Sequence, residues 1–221
     1  MVRVVPCAGT SIVPRDFYLD PPDLVARRLL GKLLVRNSKA REPDVGHNAG
    51  PIVGRIVEVE AYFGEADPAS HSFAGKTARN AVLFGPPGHA YVYFVYGMHF
   101  CLNVSCEPDG RAGGVLFRAL EPVCGVEAMA KARGLPGPPA GARELVNLTS
   151  GPGRLCQAFG ITRDRDNGAD YTASASKLQI QDDGFAAGDV LVTPRIGISK
   201  DAERPARFLL AGNPFVSGRK L

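Results

Sequence analysis

The chain has 221 residues, 45% of them hydrophobic and 22% charged, with a net charge of +4. That length and apolar content bury a substantial core and exclude a disordered or fibrous chain. No apolar run approaches the roughly 18 residues of a membrane-spanning helix, and the opening MVRVVPCAGTSIVPRDF has neither the apolar core nor the cleavage site of a secretory signal.

Residues 1–41 hold eight Lys or Arg against three Asp, and the rest of the chain is near balance. Such a surplus suits a polyanionic partner and equally a solvated basic face. Disorder is expected within residues 1–15. In YLDPPDLVARRLLGKLLVR, Asp20 as N-cap, Pro21 at the first helical position and Leu24, Leu29, Leu30, Leu33 and Leu34 predict an amphipathic helix. It ends near Gly31 and runs into a strand. The polar stretch 37–51 reads as a long loop, and GRIVEVEAYFG alternates as a strand. AYVYFVYGMHFCLNVS, residues 90–105, is strand, sharp turn at Tyr96–Gly97, strand. EPVCGVEAMAKARG is helical, 134–143 is a second loop, and a short helix lies in GPGRLCQAFGI. KLQIQ, DVLVTPRIGI and RPARFLLAG are the closing strand candidates. With no repeat and no internal boundary, this pattern predicts one α+β domain over 1–221. Its centre is a curved, roll-like, mainly antiparallel sheet with flanking helices and a protruding hairpin. The cysteines Cys7, Cys101, Cys106, Cys124 and Cys156 form no C-x-x-C pair, and no His cluster completes a zinc set. Reduced thiols in the cytosol and no metal are therefore expected.

In the strand at 54–62, Val57, Val59 and Ala61 point one way, and Glu58, Glu60 and Tyr62 the other. This is either the solvated face of an edge strand or a reactive face. The following loop adds His71, Lys76 and Arg79. A carboxylate here suits glycosidic cleavage, where it stabilises positive charge on the sugar and deprotonates an attacking water. Glu58 and Glu60, about 6.6 Å apart along a strand, could also act as an acid–base pair. In the hairpin, Tyr91, Tyr93 and Val95 share one face, and Gly97 supplies the positive φ of the turn. Tyr96 is then lifted clear of the sheet. It either folds back on Phe94 or acts as a wedge that replaces an extruded base.

With RIVEVEAY, ASHS, TARN, YVYFVYGMHFCLNVS, VLFRALEP and SGPGRLCQA in order, the chain resembles the alkyladenine (3-methyladenine) DNA glycosylase family, the mammalian-type methylpurine glycosylases, over nearly its whole length. The resemblance implies Glu60 as general base, with Arg118 near the catalytic water. Tyr62, Ala69, His71, Tyr93 and Asn103 would form the flipped-base pocket. Tyr96 would be the intercalating residue, with Met98, His99, Arg79 and Arg154 toward DNA. His99 stands where relatives carry tyrosine. No lysine occupies the reactive strand or hairpin, so hydrolysis without a Schiff base or strand cleavage is expected. The expected partner is duplex DNA with a damaged purine, engaged by a monomer with no membrane and no cofactor. The expected compartment is the cytoplasm of a bacterium, or the nucleus of a eukaryote. The rival readings are a non-catalytic nucleic-acid module and a hydrolase or transferase of small nucleosides using Glu58 and Glu60.

Overall fold

The computed structural model describes residues 9–37, 50–95 and 97–218. Tyr96 and nearly all of the 37–51 loop lie outside the described residues, as does Cys7. Residues 9–15, part of the segment where disorder is expected, are instead ordered. Strand β1 (Ser11–Ile12) pairs with β7 (Leu178–Asp182), Val13 is buried, and Arg15 bonds Asp170 at 2.6 Å.

Helix α1 (Pro22–Leu29) begins one residue later than an Asp20 cap requires. Pro21 precedes Pro22, and a residue before proline is driven out of the helical region. Pro21 accordingly sits at φ −52, ψ 150 and is itself the N-cap, with Pro22 at the first helical position. Asp20 instead pairs with Arg28 at 2.6 Å. Val25, Ala26 and Leu29 form the buried stripe, and the chain turns at Gly31 (φ +85) into β2 (Leu33–Arg36).

The central strand is β3 (Ile52–Tyr62). Its partner along the whole length is β6 (Gly113–Cys124); its other edge is shared by β2 at residues 52–55 and by β9 (Arg207–Leu210) at residues 58–60. The path runs β1-β7-β2-β3-β6-β5-β4, with β4 (Ala90–Val95) and β5 (His99–Cys106) forming the terminal hairpin. Strand β8 (Val190–Thr193) pairs with β9. Every pairing is antiparallel, and the sheet curls into a half-barrel. Helices α2 (Val126–Ala132), α3 (Ala142–Thr149), α4 (Pro152–Ala158) and α5 (Arg163–Asp166) follow β6. The sequence reading missed α3 and α5, and α3 ends the predicted 134–143 loop at Gly141. Phe117, Phe159, Tyr171, Phe208 and Leu120 are among the fully buried side chains of the core. None of the described helices is long and apolar enough to cross a membrane.

Two irregularities aim the site. Opposite Glu58 and Val59 stand Ala119 and Phe117, so Arg118 is an extra residue on β6. A bulge of this kind redirects a side chain out of the ladder, and here it sends Arg118 toward the carboxylates of β3. After β3 the chain turns at Gly64, whose φ is +59 and where a Cβ would meet Ala112 O at 2.0 Å. Only glycine fits this crowded left-handed position. Gly64→Ala is therefore expected to cost about 2–3 kcal/mol, measured by urea denaturation.

Candidate active site

Glu58 and Glu60 project from the central strand with no exposed surface. An outward, solvated face for this strand is thus excluded. Four donors converge on Glu58: Arg118 Nε at 2.9 Å, Arg207 Nε at 2.7 Å, Ser217 Oγ at 2.9 Å and the Ser217 amide. Arg207 also donates to Ser217 O (2.8 Å) and to Thr193 Oγ1 (3.1 Å). Arg118 reaches onward, its Nη1 lying 3.1 Å from Glu60 Oε1. The amide of Ile196 donates to the same oxygen at 2.8 Å, and Tyr62 Oη donates to Glu60 Oε2 at 2.9 Å. Burial alone would lower the Arg118 pKa; the charges of Glu60 and Glu58 outweigh it and raise it. Burial, then the neighbouring charge of Glu60, pushes the Tyr62 phenol well above its ordinary range. Tyr62 is therefore a fixed donor.

Tyr62 separates this charged layer from a cavity of about 200 Å³. Ala69, His71, Tyr93 and Asn103 line it with Tyr62, together with Ser70, Leu83, Tyr91, Val95, Gly114, Gly197 and Ile198. The size is below the roughly 300–1,000 Å³ of sites for drug-sized molecules and suits one flat heterocycle. Its walls are aromatic. The rings of His71 and Tyr93 meet edge-on with centroids 4.4 Å apart, and Tyr91 lies 5.6 Å from Tyr93. His71 Nδ1 shares a 3.0 Å hydrogen bond with Tyr91 Oη. Desolvation, reinforced by nearby Arg79, lowers the His71 pKa and favours the neutral ring. Burial and the adjacent Cys101 push the Tyr93 phenol up. Asn103 is anchored by its Nδ2, which donates to Tyr91 O at 3.0 Å.

The loops over the cavity are tied by one ion pair, Asp67 with Arg195, both side chains wholly buried. Arg195 contacts both carboxylate oxygens, donates to Ala61 O at 3.1 Å, and lies 4.7 Å from the Tyr62 ring centroid. Asp67 accepts the amides of Phe63 and Ala69. Burial would raise the Asp67 pKa, but these bonds win and hold it below the ordinary carboxylate range.

All five pocket residues read from the sequence thus share one cavity, with Glu60 and Arg118 immediately behind it. Glu60 does not line the cavity; Tyr62 stands between. Of the residues expected toward DNA, Met98 is 67% exposed at the hairpin tip, and Tyr96 lies outside the described residues. Arg79 stands beside His71 and Tyr91 at the cavity rim. His99 turns from the tip and packs on α4, where a Cβ on Gly153 would meet its ring at 3.0 Å. Arg154 is on α4, bonded to Asn147 Oδ1 at 2.9 Å. The sequence reading missed Asp67, Arg195, Arg207 and Ser217, which carry no local pattern. It placed Tyr91 on the correct hairpin face without assigning it to the pocket.

The fold is thus an antiparallel half-barrel with a buried Glu–Arg cluster set behind an aromatic cavity sized for one flat ring. A family model described as methylpurine-DNA glycosylase matches residues 16–214. Over 213 residues the chain is 56% identical to a Koribacter versatilis protein provisionally named 3-methyladenine DNA glycosylase, covering 96% of each. Proteins with the same provisional name from Burkholderia cenocepacia and Methanocella arvoryzae are each 47% identical, covering 96% and 94% of this chain and 94% and 96% of their own. The chain belongs to the methylpurine-DNA glycosylase family. It is a DNA glycosylase, a hydrolase acting on DNA.

Glu58→Gln strips the charge that Arg118 and Arg207 share in the interior, and is expected to destabilise the fold by about 3–5 kcal/mol, seen as a lowered denaturant midpoint. His71 generates a pH signature. Its folded pKa lies below 6.5, so the unfolded chain takes the proton first and stability falls as pH drops through 6.5 toward the folded value. His71→Asn should flatten that part of the acid-side decline, measured by urea denaturation across a pH series.

Proposed function

We propose that the protein flips alkylated or deaminated purines out of duplex DNA and hydrolyses their N-glycosidic bond with a water activated by Glu60. One observation carries this reading: the difference between two carboxylates two residues apart. An ionised carboxylate offers about four acceptor sites. Glu58 meets four donors, three on Oε1 and the Ser217 amide on Oε2. Glu60 meets three, and its Oε2 holds only the Tyr62 phenol. Glu60 Oε2 keeps acceptor capacity for a water on the side held by Tyr62, which lines the cavity. The donors on Glu58 are Arg118, Arg207 and Ser217, none of which lines it, and Glu58 serves to position Arg118. This argues against a Glu58–Glu60 acid–base pair.

In this mechanism the flipped base lies among Tyr62, His71 and Tyr93, flanked by Ala69 and Asn103. Glu60 accepts a proton from water as its oxygen bonds to C1′ and the bond from C1′ to the base nitrogen breaks. The electron pair of that bond leaves with the purine. For cationic 3- or 7-alkylpurines this neutralises the leaving group, and aromatic walls favour such a cation by about 0.5–2 kcal/mol. Hypoxanthine needs a proton as it leaves. Tyr96 would fill the gap in the stack, and Met98, Arg79 and Arg154 would contact DNA. One copy suffices for this work. An abasic site is left without strand cleavage, since no amine nucleophile lies on β3 or the hairpin.

Glu60→Gln is expected to cut release of 3-methyladenine and hypoxanthine by about 10²–10⁴-fold while duplex binding persists, read as alkali-labile scission beside a binding titration. Borohydride should trap no covalent adduct in either protein. Binding without release by the wild type would replace this reading with a non-catalytic module.

A further inference from the structure

A second cavity, of about 640 Å³, lies between α2, α3 and α4, away from the aromatic pocket. Its walls are Arg133, Arg154, Asn147, Glu144 and the segment 135–140. That segment contains Pro136, Pro138 and Pro139, which fix φ and remove backbone donors. The wall is thus stiff, and its hydrogen-bonding capacity is concentrated in the two arginines.

Neither arginine has a carboxylate within ion-pair distance among the described residues. Arg133 Nη1 donates to Asn147 O and Leu148 O at the end of α3, and its Nε is buried without a partner. Arg154 Nη1 donates to Asn147 Oδ1 and, at 3.4 Å, to Ser150 O. Each guanidinium carries five N–H donors, so both keep unused ones. Glu144 lines the same cavity, its Oε2 accepting the Ala140 amide at 2.8 Å, but makes no ion pair with either arginine. Burial, with the charge of Arg154 nearby, lowers the Arg133 pKa. A bound anion would offset the charge of both arginines.

We infer that this cavity binds a backbone phosphate of the duplex, clamped between Arg133 and Arg154. The inference rests on the proposal that the hairpin engages duplex DNA. Helix α4 carries Arg154 one residue after Gly153, and Gly153 packs against His99 next to the hairpin tip. DNA seated on that tip passes the arginine-lined mouth. The clamp positions the duplex and carries no sequence information.

The test is the salt dependence of binding to an undamaged duplex. Each phosphate neutralised contributes about 0.9 to the slope of log K against log salt. Arg133→Gln, and separately the exposed Arg154→Gln, should each reduce the slope by up to that amount for the one clamped phosphate, and Arg133→Lys should restore most of the loss. Should Arg133→Gln fail to fold, Arg154→Gln still decides the outcome. Unchanged slopes in folded variants would overturn the proposal. Inorganic phosphate is titrated in parallel; saturable binding that Arg133→Gln abolishes, with the DNA slope unchanged, would make this a small-anion site and overturn the duplex assignment. Release of 3-methyladenine by the wild type, assayed in the same preparation, keeps failure of the clamp separate from failure of the glycosylase reading.

Discussion

The site is organised around the buried contact of Glu58 with Arg118 and Arg207. An isolated charge at that depth would be prohibitive, and a second carboxylate two residues along the same strand makes it worse. Two guanidiniums against Glu58 and Glu60 bring the cluster to neutrality, and Ser217 supplies the remaining hydrogen bonds. Buried ion pairs of this kind add little net stability compared with apolar packing. What the cluster secures is geometry: it joins β3, β6, β9 and the C-terminal segment and holds Arg118 in one orientation against Glu60. An electrostatic site is most effective when its dipoles are fixed before the reaction begins.

Charge and recognition occupy different layers. No residue lining the cavity carries a formal charge when His71 is neutral, so a bound ring meets aromatic faces and a few fixed polar groups. The Glu60 carboxylate lies behind Tyr62, bonded to its phenol. Arg195 complicates the aromatic wall, since its guanidinium already occupies a position over the Tyr62 ring. That contact competes with any cationic base for the electrons of the same ring, whereas Tyr93 has no such neighbour among the described cation–ring contacts. Preference for cationic lesions would then rest more on Tyr93 than on Tyr62.

Alternation along 54–62 was enough to bring Glu58, Glu60 and Tyr62 to one face, and the glycine at 97 was enough to locate the hairpin. Period-2 patterns and turn chemistry are local, and they survive in the folded chain. The different fates of the two glutamates were not legible, because they depend on the bulge at Arg118 and on Arg207 and Ser217, both about 150 residues away. Nor was the Asp67–Arg195 pair, which joins two loops with no shared pattern. Helix α3 escaped notice because ARELVNLT is short and follows a Pro- and Gly-rich stretch that reads as loop. The start of α1 was misplaced because Asp20 is a good cap in isolation, while the conformational restriction that Pro22 imposes on Pro21 decides the matter.

The departure at His99 follows from the same packing. A side chain beside a DNA-facing tip was expected to meet the duplex, yet this ring lies on Gly153 with its Nδ1 buried and unpartnered. A larger residue than glycine at 153 would collide with it, so the absence of a side chain on α4 and the turn of His99 are one fit. The contact fastens the projecting hairpin to the helix that bears Arg154. A load at the tip is thereby transmitted to α4 as well as to the sheet. The hairpin is consequently supported on two sides, by strand pairing to β6 and by this helix, as a rigid element must be if it is to hold a duplex open while Glu60 stays fixed beneath Tyr62.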